Sequence, residues 1–170
     1  MLPLDIFKTV IASTPLISID LIIKNSKGQV LLGKRNNRPA QGFWFVPGGR
    51  VLKDEQLDLA FERLLMSELA IDKQDARFLG VYQHFYVDNV TEDDFSTHYI
   101  VLAYEIVCDG SLKDLPIAQH NEYQWFSQAG LLRNNEVHKH TKWYFQQTKE
   151  ADNDFRSSRK LLVGSTLANK

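Results

Sequence analysis

Cysteine is almost absent from the sequence: Cys108 is the only one among 170 residues. One thiol cannot form a disulfide framework within the chain, and it cannot build a zinc site that needs several thiolates. Cys108 ends the apolar, strand-like run YEIVC. We therefore interpret it as a small apolar side chain and not as a reactive group.

An excess of charge of either sign is also missing. Twenty basic and 21 acidic side chains leave a formal net charge of −1 at pH 7. The chain therefore has no overall positive field that would attract nucleic acid or an anionic membrane, and we expect neither as a partner. Any anionic ligand must be held by cationic side chains placed locally around it.

Long apolar runs are absent as well. The first ten residues, MLPLDIFKTV, contain no basic segment followed by an apolar stretch, and no other segment is long and apolar enough to cross a bilayer. We therefore expect a cytoplasmic protein without a signal peptide.

The composition that remains is ordinary for a globular domain, with 44% hydrophobic and 24% charged residues. A chain of this length most simply forms one domain with its own core. We predict a single domain over residues 1–150. The tail 151–170, ADNDFRSSRKLLVGSTLANK, lacks clear periodicity, so we predict that it is partly disordered.

Apolar periodicity predicts the elements of that domain. A first helix, LDIFKTVIAS, should end near Thr14, because a residue that precedes proline is disfavoured in the α conformation. A helix over 55–69 with Asp54 as its N-cap is predicted next, then helical segments through Leu132 and from His138 to about Lys149. The predicted strands are LISIDLIIK, QVLLGKR, FWFV, RFLGVYQHFYV, HYIVLAYEIV and EYQWF. Strands arranged around one central helix predict a mixed α/β sandwich.

One face of the helix over 55–69 ends in a carboxylate. Leu57, Phe61, Leu64 and Glu68 fall on one stripe at 100° per residue, and the first three are apolar. Glu68 therefore ends an inward-facing row, where a carboxylate must be paired, hydrogen-bonded or bound to a metal. The alternative is that Glu68 turns into solvent at the helix end.

The loop PGGR precedes this helix and has two readings. Its two glycines let the backbone approach phosphate oxygens or a metal closely, and Arg50 adds a positive charge. The alternative is a plain tight turn without a ligand.

Loop and helix together resemble the Nudix box. The box begins with a glycine, which is followed by five residues and a glutamate. Seven further residues lead to Arg-Glu-aliphatic. After one residue comes Glu-Glu, and after one more comes Gly-aliphatic. The positions that match are Gly49, Glu55, Arg63, Leu65, Glu68 and Ile71. Leu64 and Ser67 stand where the box has acids, and Ala70 stands where it has its last glycine. Ordinary Nudix enzymes use those acids to hold several metal ions for attack at phosphorus.

One branch, the GDP-mannose mannosyl hydrolases, departs from the box in a similar way. The segments STPLISIDLIIKNSKGQVLLGKRNNRPAQGFWFVPGGRV, GVYQHFYVDN, DFSTHYIVL and AQHNEYQWF are similar to that branch and span roughly residues 7–145. The resemblance implies a Nudix fold: an α/β/α sandwich around a mixed β-sheet, with a loop-helix-loop Nudix motif. It also implies a bacterial homodimer that uses one Mg²⁺ per active site, with Mn²⁺ as a substitute.

The resemblance implies a reaction at carbon. Water attacks the anomeric carbon with inversion, and GDP-mannose, or GDP-glucose as a second substrate, yields GDP and free hexose. The implied metal ligands are Glu68, the amide oxygen of Gln119 and the backbone carbonyl of Gly48. A few oxygen ligands suffice for Mg²⁺, which can take the others from water and phosphate.

Three arginines can neutralise the diphosphate. We interpret Arg35 and Arg50 as phosphate-binding groups, because the guanidinium fork matches phosphate oxygens. Arg35 could instead be the solvated end of a strand. Arg63 is a weaker candidate for substrate binding, since it could equally be a structural partner of Glu55 or Glu62.

Five histidines are candidates for a general base that titrates near neutrality. His138 and His140 lie in the polar run EVHKHTK, where we expect exposure, and His98 precedes a strand, where a hydrogen-bonding role is as plausible as any other. His84 could be half-buried between aromatic residues or could contact substrate. The residues alone rank His120 no higher than these, but the resemblance places the base at the Gln119-His120 pair.

Asp20 and Tyr99 fall at positions which the branch associates with substrate or catalysis. Both also have structural interpretations, Asp20 as a polar strand residue and Tyr99 as part of the core.

Two competing hypotheses remain. The first is a Nudix enzyme that cleaves a nucleotide sugar at phosphorus, against which the loss of acids at 64 and 67 argues. The second is a non-catalytic nucleotide-binding module. Retention of Glu68, Gln119 and His120, together with Arg35 and Arg50, argues against such a module.

Overall fold

The computed structural model of the chain describes residues 3–72, 74–91, 93–110 and 114–146. The predicted tail 151–170 lies outside these ranges. The seven strands are β1 Leu16–Lys24, β2 Val30–Arg35, β3 Trp44–Phe45, β4 Gly48–Arg50, β5 Arg77–Tyr86, β6 Thr97–Val107 and β7 His120–Phe126. The helices are α1 Leu4–Ser13, α2 Leu57–Leu69, α3 Gln128–Arg133 and α4 Lys139–Trp143. None of these helices is long and apolar enough to pass through a membrane.

The strands form one mixed sheet whose main order is β3-β2-β1-β6-β5. The long strands β1 and β6 are parallel over their whole length, and the other pairs are antiparallel. β1 and β2 pair only at Lys24↔Val30 and then diverge, so β4 pairs with the free edge of β1 and β7 pairs along β2. The divergence opens the sheet between Asp20 and Arg35.

Helices cover both faces of the sheet. The odd-numbered residues Ile19, Leu21 and Ile23 of β1 pack against α2, while Ile22 packs with α3 and the segment after α4. This alternation follows from the two-residue period of a strand, and it directs Asp20 away from α2. The predicted α/β/α sandwich with a mixed sheet is confirmed.

The predicted N-cap of α2 is wrong. The helix begins at Leu57 and its N-cap is Gln56, whereas Asp54 adopts a left-handed φ of 64° in the turn before it. The carboxylate of Glu55 accepts a hydrogen bond from the backbone N–H of Leu52 and closes this turn. Glu55, which periodicity assigned to the helix, therefore belongs to the turn, and Gln56 caps the helix.

Three other elements also differ from the predictions. FWFV contributes only Trp44 and Phe45 to β3, and the segment Gly48–Arg50, predicted as a loop, pairs with β1 as β4. The last helix is also shorter than predicted, since α4 ends at Trp143. The end of the predicted helix near Lys149 lies outside the described residues.

Candidate active site

A cleft of about 360 Å³ opens on the α4 side of the sheet, where β1 and β2 diverge. α1, β4 and the segment after β2 complete its walls. Most of the residues predicted for the site line it: Asp20, Arg35, Gly48, Arg50, His84, Tyr99 and Gln119. The fold thus brings together side chains from five strands and from the segment before β7.

Two arginines, Arg35 and Arg50, line this cleft. The Nε–H of Arg35 donates to the carbonyl of Pro39 at 3.0 Å, and its guanidinium lies 5.7 Å from the ring centre of Phe45. The guanidinium of Arg50 lies 3.9 Å from the ring centre of Phe7 on α1. Packing on aromatic rings restricts the orientation of both guanidinium groups, which suits them to bind the oxygens of a diphosphate.

Arg63 lies outside the residues that line the cleft. Its Nε and Nη2 form a two-pronged pair with Glu55 at 2.6 and 2.8 Å, and Nη2 also donates to the carbonyl of Arg50 at 2.9 Å. The hydrogen bonds from Arg63 lower the pKa of Glu55 to about 2. Arg63 therefore fixes the loop between β4 and α2, and its contact with substrate stays a prediction.

Glu68 and Gln119 form the candidate metal-binding pair. Glu68 is 4% exposed, and its Oε1 accepts a hydrogen bond from the amide nitrogen of Gln119 at 2.6 Å. Burial is the largest influence on Glu68 and raises its pKa to about 7, although Arg35 and Arg63 act in the opposite direction. A buried carboxylate of this kind fits a divalent cation, which would stabilise its ionised form.

The carbonyl of Gly48 is a third candidate ligand. Leu21 N–H donates to Pro47, and Val51 N–H donates to Ile17. Because hydrogen-bonded and non-hydrogen-bonded pairs alternate in an antiparallel ladder, the carbonyl of Gly48 points away from β1. One carboxylate and neutral oxygens are a donor set that Mg²⁺ accepts. Over the described ranges no group of three or more His, Cys, Asp or Glu could hold a metal ion.

His120 is fully buried beside this pair and does not line the cleft. Its Nδ1 lies 3.8 Å from Glu68 Oε2 and 3.4 Å from the hydroxyl of Tyr123, while Nε2 has no hydrogen-bond partner among the described residues. Burial, with a smaller effect of Arg35, lowers the pKa of His120 to about 4. His120 is therefore neutral at pH 7 and can accept a proton, but its role as base stays a prediction.

Tyr144 is a residue of the site that the sequence analysis missed. Its hydroxyl lies 2.7 Å from Asp20 Oδ2 and 3.0 Å from His84 Nε2. Burial raises the pKa of Asp20 to about 7, although the hydrogen bond from Tyr144 acts in the opposite direction. Tyr144 lies in no box or loop motif. The only sequence signal was its position beside the apolar residues Trp143 and Phe145.

The prediction that His138 and His140 are exposed is wrong. His140 is fully buried and stacks on His84, with ring centres 4.3 Å apart and planes 8° apart. His138 is half-buried, caps α4 and stacks on Tyr86. The polar residues around them suggested exposure, but α4 is short and directs both imidazoles toward β5.

Comparisons with known proteins agree with this architecture. A family model described as the NUDIX domain matches residues 14–147. The chain is 39% identical over 125 residues to the low-salt glycan biosynthesis protein Agl8 of Haloferax volcanii, which covers 74% of this chain and 79% of that protein.

Solved structures show the same fold. The MutT protein of Methanosarcina mazei Go1 superposes with a TM-score of 0.65 at 24% identity, covering 85% of this chain and 98% of that one. The NUDIX domain of Shewanella oneidensis NrtR, complexed with ADP ribose, gives a TM-score of 0.61 at 18% identity, covering 91% and 99%. The family match over most of the chain, together with this fold, shows that the chain belongs to the Nudix hydrolase family.

Proposed function

We propose that this Nudix protein hydrolyses GDP-mannose to GDP and free mannose by attack of water on the anomeric carbon, with inversion. GDP-glucose is the second candidate substrate. The observation that carries the proposal is that Glu68 is the one buried carboxylate on the described Nudix helix α2. Attack at carbon suits such a site, because a diphosphate is a good leaving group once its charge is neutralised.

The two positions that lack acids support this reading. Leu64 is 2% exposed and belongs to the core under α2, and one of its methyl groups would lie 2.6 Å from a Cβ placed on Gly49. Ser67, one turn further along the helix, is exposed to solvent. An acid at 64 would thus meet the apolar core and the loop backbone, so the helix offers no second inward carboxylate for further metal ions.

The relative Agl8 supports a sugar-containing substrate. Its name places it in glycan biosynthesis, a process that consumes activated sugars. A nucleoside diphosphate sugar also matches the chemistry of the cleft, where two arginines lie near polar side chains. We extend the proposal to a homodimer with one Mg²⁺, or Mn²⁺, per active site.

The residues of the chain divide the task as follows. Glu68, Gln119 and Gly48 would hold the metal ion, which would neutralise charge on the diphosphate. Arg35 and Arg50 bind diphosphate oxygens and stabilise the negative charge that develops on the leaving group. Asp20 and Tyr99 lie in the same cleft and would orient the sugar.

Proton transfer is assigned to His120. The water oxygen forms a bond to the anomeric carbon, the bond from that carbon to the diphosphate oxygen breaks, and its electron pair leaves with GDP. The water proton passes to His120, whose Nε2 is without a partner among the described residues. A histidine that is neutral at pH 7 is in the form that accepts this proton.

Hydrolysis of GDP-mannose in oxygen-18 water with Mg²⁺ tests the proposal. We expect the label in mannose and unlabelled GDP. Label in a phosphate, with GMP and mannose 1-phosphate as products, would instead indicate attack at phosphorus. Binding of GDP-mannose without turnover would indicate a non-catalytic module.

The base is tested separately with His120→Gln. We expect kcat to fall by about 10²- to 10⁴-fold with a much smaller change in KM, because the lost group acts on the proton and not on binding. His98→Gln is the matched control, since His98 stacks on Phe85 outside the cleft. A wild-type rate for His120→Gln would remove His120 as the base.

A further inference from the structure

Four side chains form a hydrogen-bonded row beside the cleft. The row runs from Asp20 Oδ2 to the hydroxyl of Tyr144 at 2.7 Å, and from that hydroxyl to His84 Nε2 at 3.0 Å. His84 Nδ1 then lies 3.4 Å from the hydroxyl of Tyr86. Asp20, His84 and Tyr86 line the cleft, whereas Tyr144 reaches the row from the C-cap of α4.

Proton counting fixes the direction of these hydrogen bonds. A tyrosine hydroxyl has one proton, so Tyr144 can donate only once and must accept its other hydrogen bond. The hydroxyl of Tyr144 donates its proton to Asp20 Oδ2, so it must accept from His84 Nε2. His84 must then carry its proton on Nε2, and its Nδ1 can accept from Tyr86.

The surroundings of His84 agree with a single neutral tautomer. His84 is 2% exposed, and burial, with a smaller effect of His138, lowers its pKa to about 3. One face of its ring stacks on His140, and the ring of Phe45 lies edge-on at 5.9 Å. Of the two hydroxyls that reach this ring, Tyr144 makes the shorter contact, 3.0 Å against 3.4 Å for Tyr86, so Tyr144 is the group that mainly decides which nitrogen of His84 holds the proton.

The second oxygen of Asp20 faces another part of the cleft. Asp20 Oδ1 lies 3.0 Å from the point where a Cβ on Gly48 would stand, so it is directed toward the loop of the Nudix box. The hydrogen bond from Tyr144 holds Oδ2 and thereby sets the plane of the carboxylate. Oδ1 is thus available as an acceptor beside the candidate metal ligands.

We propose that Tyr144 is a positioning residue, which fixes the carboxylate of Asp20 in the cleft and holds His84 in the Nε2–H tautomer. This inference rests on the proposed function only for its kinetic consequence. The tautomer of His84 can be measured without any substrate. Tyr144 is not among the residues that line the cleft, whereas Asp20 is, so the effect of Tyr144 on turnover passes through Asp20.

Tyr144→Phe removes the hydroxyl and keeps the ring, which packs edge-on against Tyr82 at 4.7 Å. The imidazole nitrogen shifts of His84, measured by NMR on the full chain, should change from one protonated and one unprotonated nitrogen toward averaged values. With GDP-mannose, kcat should fall about 10- to 100-fold, as expected when a substrate-contacting group loses its orientation. The thermal midpoint should move by only a few degrees.

Tyr82→Phe is the matched control, since it removes a hydroxyl from the same aromatic cluster and should leave both the His84 shifts and kcat unchanged. Asp20→Asn is a second variant, and it should also average the His84 shifts. Unchanged His84 shifts in Tyr144→Phe would overturn the inference. If wild-type protein does not hydrolyse GDP-mannose, the proposed function fails, while averaged shifts in Tyr144→Phe would still support the positioning role.

Discussion

Single residues of the site differ in how well the sequence predicts them. Glu68 ends an apolar stripe, so periodicity predicts its inward direction, and its burial confirms this. The prediction is wrong for Leu57 at the other end of the stripe, which is 48% exposed because it lies in the first turn of α2. The burial of His120 could not be predicted, because it depends on how the ring packs over the backbone of Gly33 in the neighbouring strand. The place of Tyr144 in the site is harder still to predict, since its contact with Asp20 joins residues that are 124 positions apart.

Ala70 destabilises the folded protein because of its backbone conformation. It caps α2 in the left-handed conformation, with φ 52° and ψ 36°, and its N–H donates to the carbonyl of Met66. A Cβ is unfavourable in this conformation, and glycine is the residue that normally ends a helix in this way. The departure from the Nudix box at this position therefore strains the helix end and changes no group in the cleft.

Ala70→Gly should stabilise the protein by about 1 kcal/mol, since relief of the Cβ strain exceeds the added entropy of the unfolded chain. For a domain of this size the thermal midpoint should rise by about 2–4 °C. Ser67→Gly is the control, because the same glycine at an exposed helical position should destabilise by about 0.5 kcal/mol. Equal effects of the two substitutions in urea unfolding would show that the left-handed cap is not strained.

At the scale of elements, the long strands were predictable and the short ones were not. β1, β5 and β6 have enough β-branched and aromatic residues for the two-residue period to be visible. β4 has three residues, two of them glycine, and pairs only because β2 leaves the edge of β1 free. Pairing imposed by the rest of the sheet cannot be predicted from local propensity.

The different burial of Leu64 and Ser67 on α2 gives a prediction about the missing acids. Leu64→Glu should destabilise the protein by about 3 kcal/mol or more, because an unpaired carboxylate would enter the core. Ser67→Glu should change stability by no more than about 0.5 kcal/mol, since position 67 is exposed. Urea unfolding of the two variants at pH 7 measures both values.

Product analysis adds a functional criterion to this pair. Ser67→Glu restores one acid of the Nudix box at a position that points into solvent. We therefore expect it to release GDP and mannose as the wild-type protein should. Release of GMP by Ser67→Glu would show that the carboxylate at 67 alone decides between attack at carbon and attack at phosphorus.

For the whole molecule, resemblance and periodicity together predicted the layered fold, but they did not predict the electrostatics of the interior. The formal charge of −1 gives no indication that histidines and carboxyl groups in the interior have shifted pKa values. His138 and His140, which the polar sequence around them predicted to be exposed, pack together with His84. Such clustering arises from β5 and α4 meeting in the fold, so it has no local signature in the sequence.

Burial lowers the pKa of four histidines, and burial likewise raises the pKa of two carboxyl groups. The histidines are His84 at about 3, His120 and His138 at about 4, and His140 at about 2. The carboxyl groups are Asp20 and Glu68, both at about 7. Between roughly pH 4.5 and 6 the unfolded chain therefore binds four additional protons at histidines and two fewer at these carboxyl groups.

The net difference is about two protons in favour of the unfolded chain, so stability must fall as the pH falls through this window. One proton corresponds to about 1.4 kcal/mol per pH unit, and two give a slope of about 3 kcal/mol per pH unit. The free energy of unfolding, measured by urea titration without Mg²⁺ at several pH values, tests this slope. Glu55 contributes only at lower pH. Because its pKa is lowered in the folded protein, the stability that it provides is lost as the pH falls below about 4.5.

His140→Gln provides the sharper test, since it removes one of the four histidines while keeping a polar side chain of similar volume. The slope of the unfolding free energy against pH should fall by about half, because the net proton difference falls from two to one. A change in stability that is the same at every pH does not alter this slope. NMR titration of the histidine ring signals gives an independent check, because His84 and His140 should remain neutral throughout the window. An unchanged slope in His140→Gln would mean that this buried imidazole takes up its proton as readily in the folded protein as in the unfolded chain.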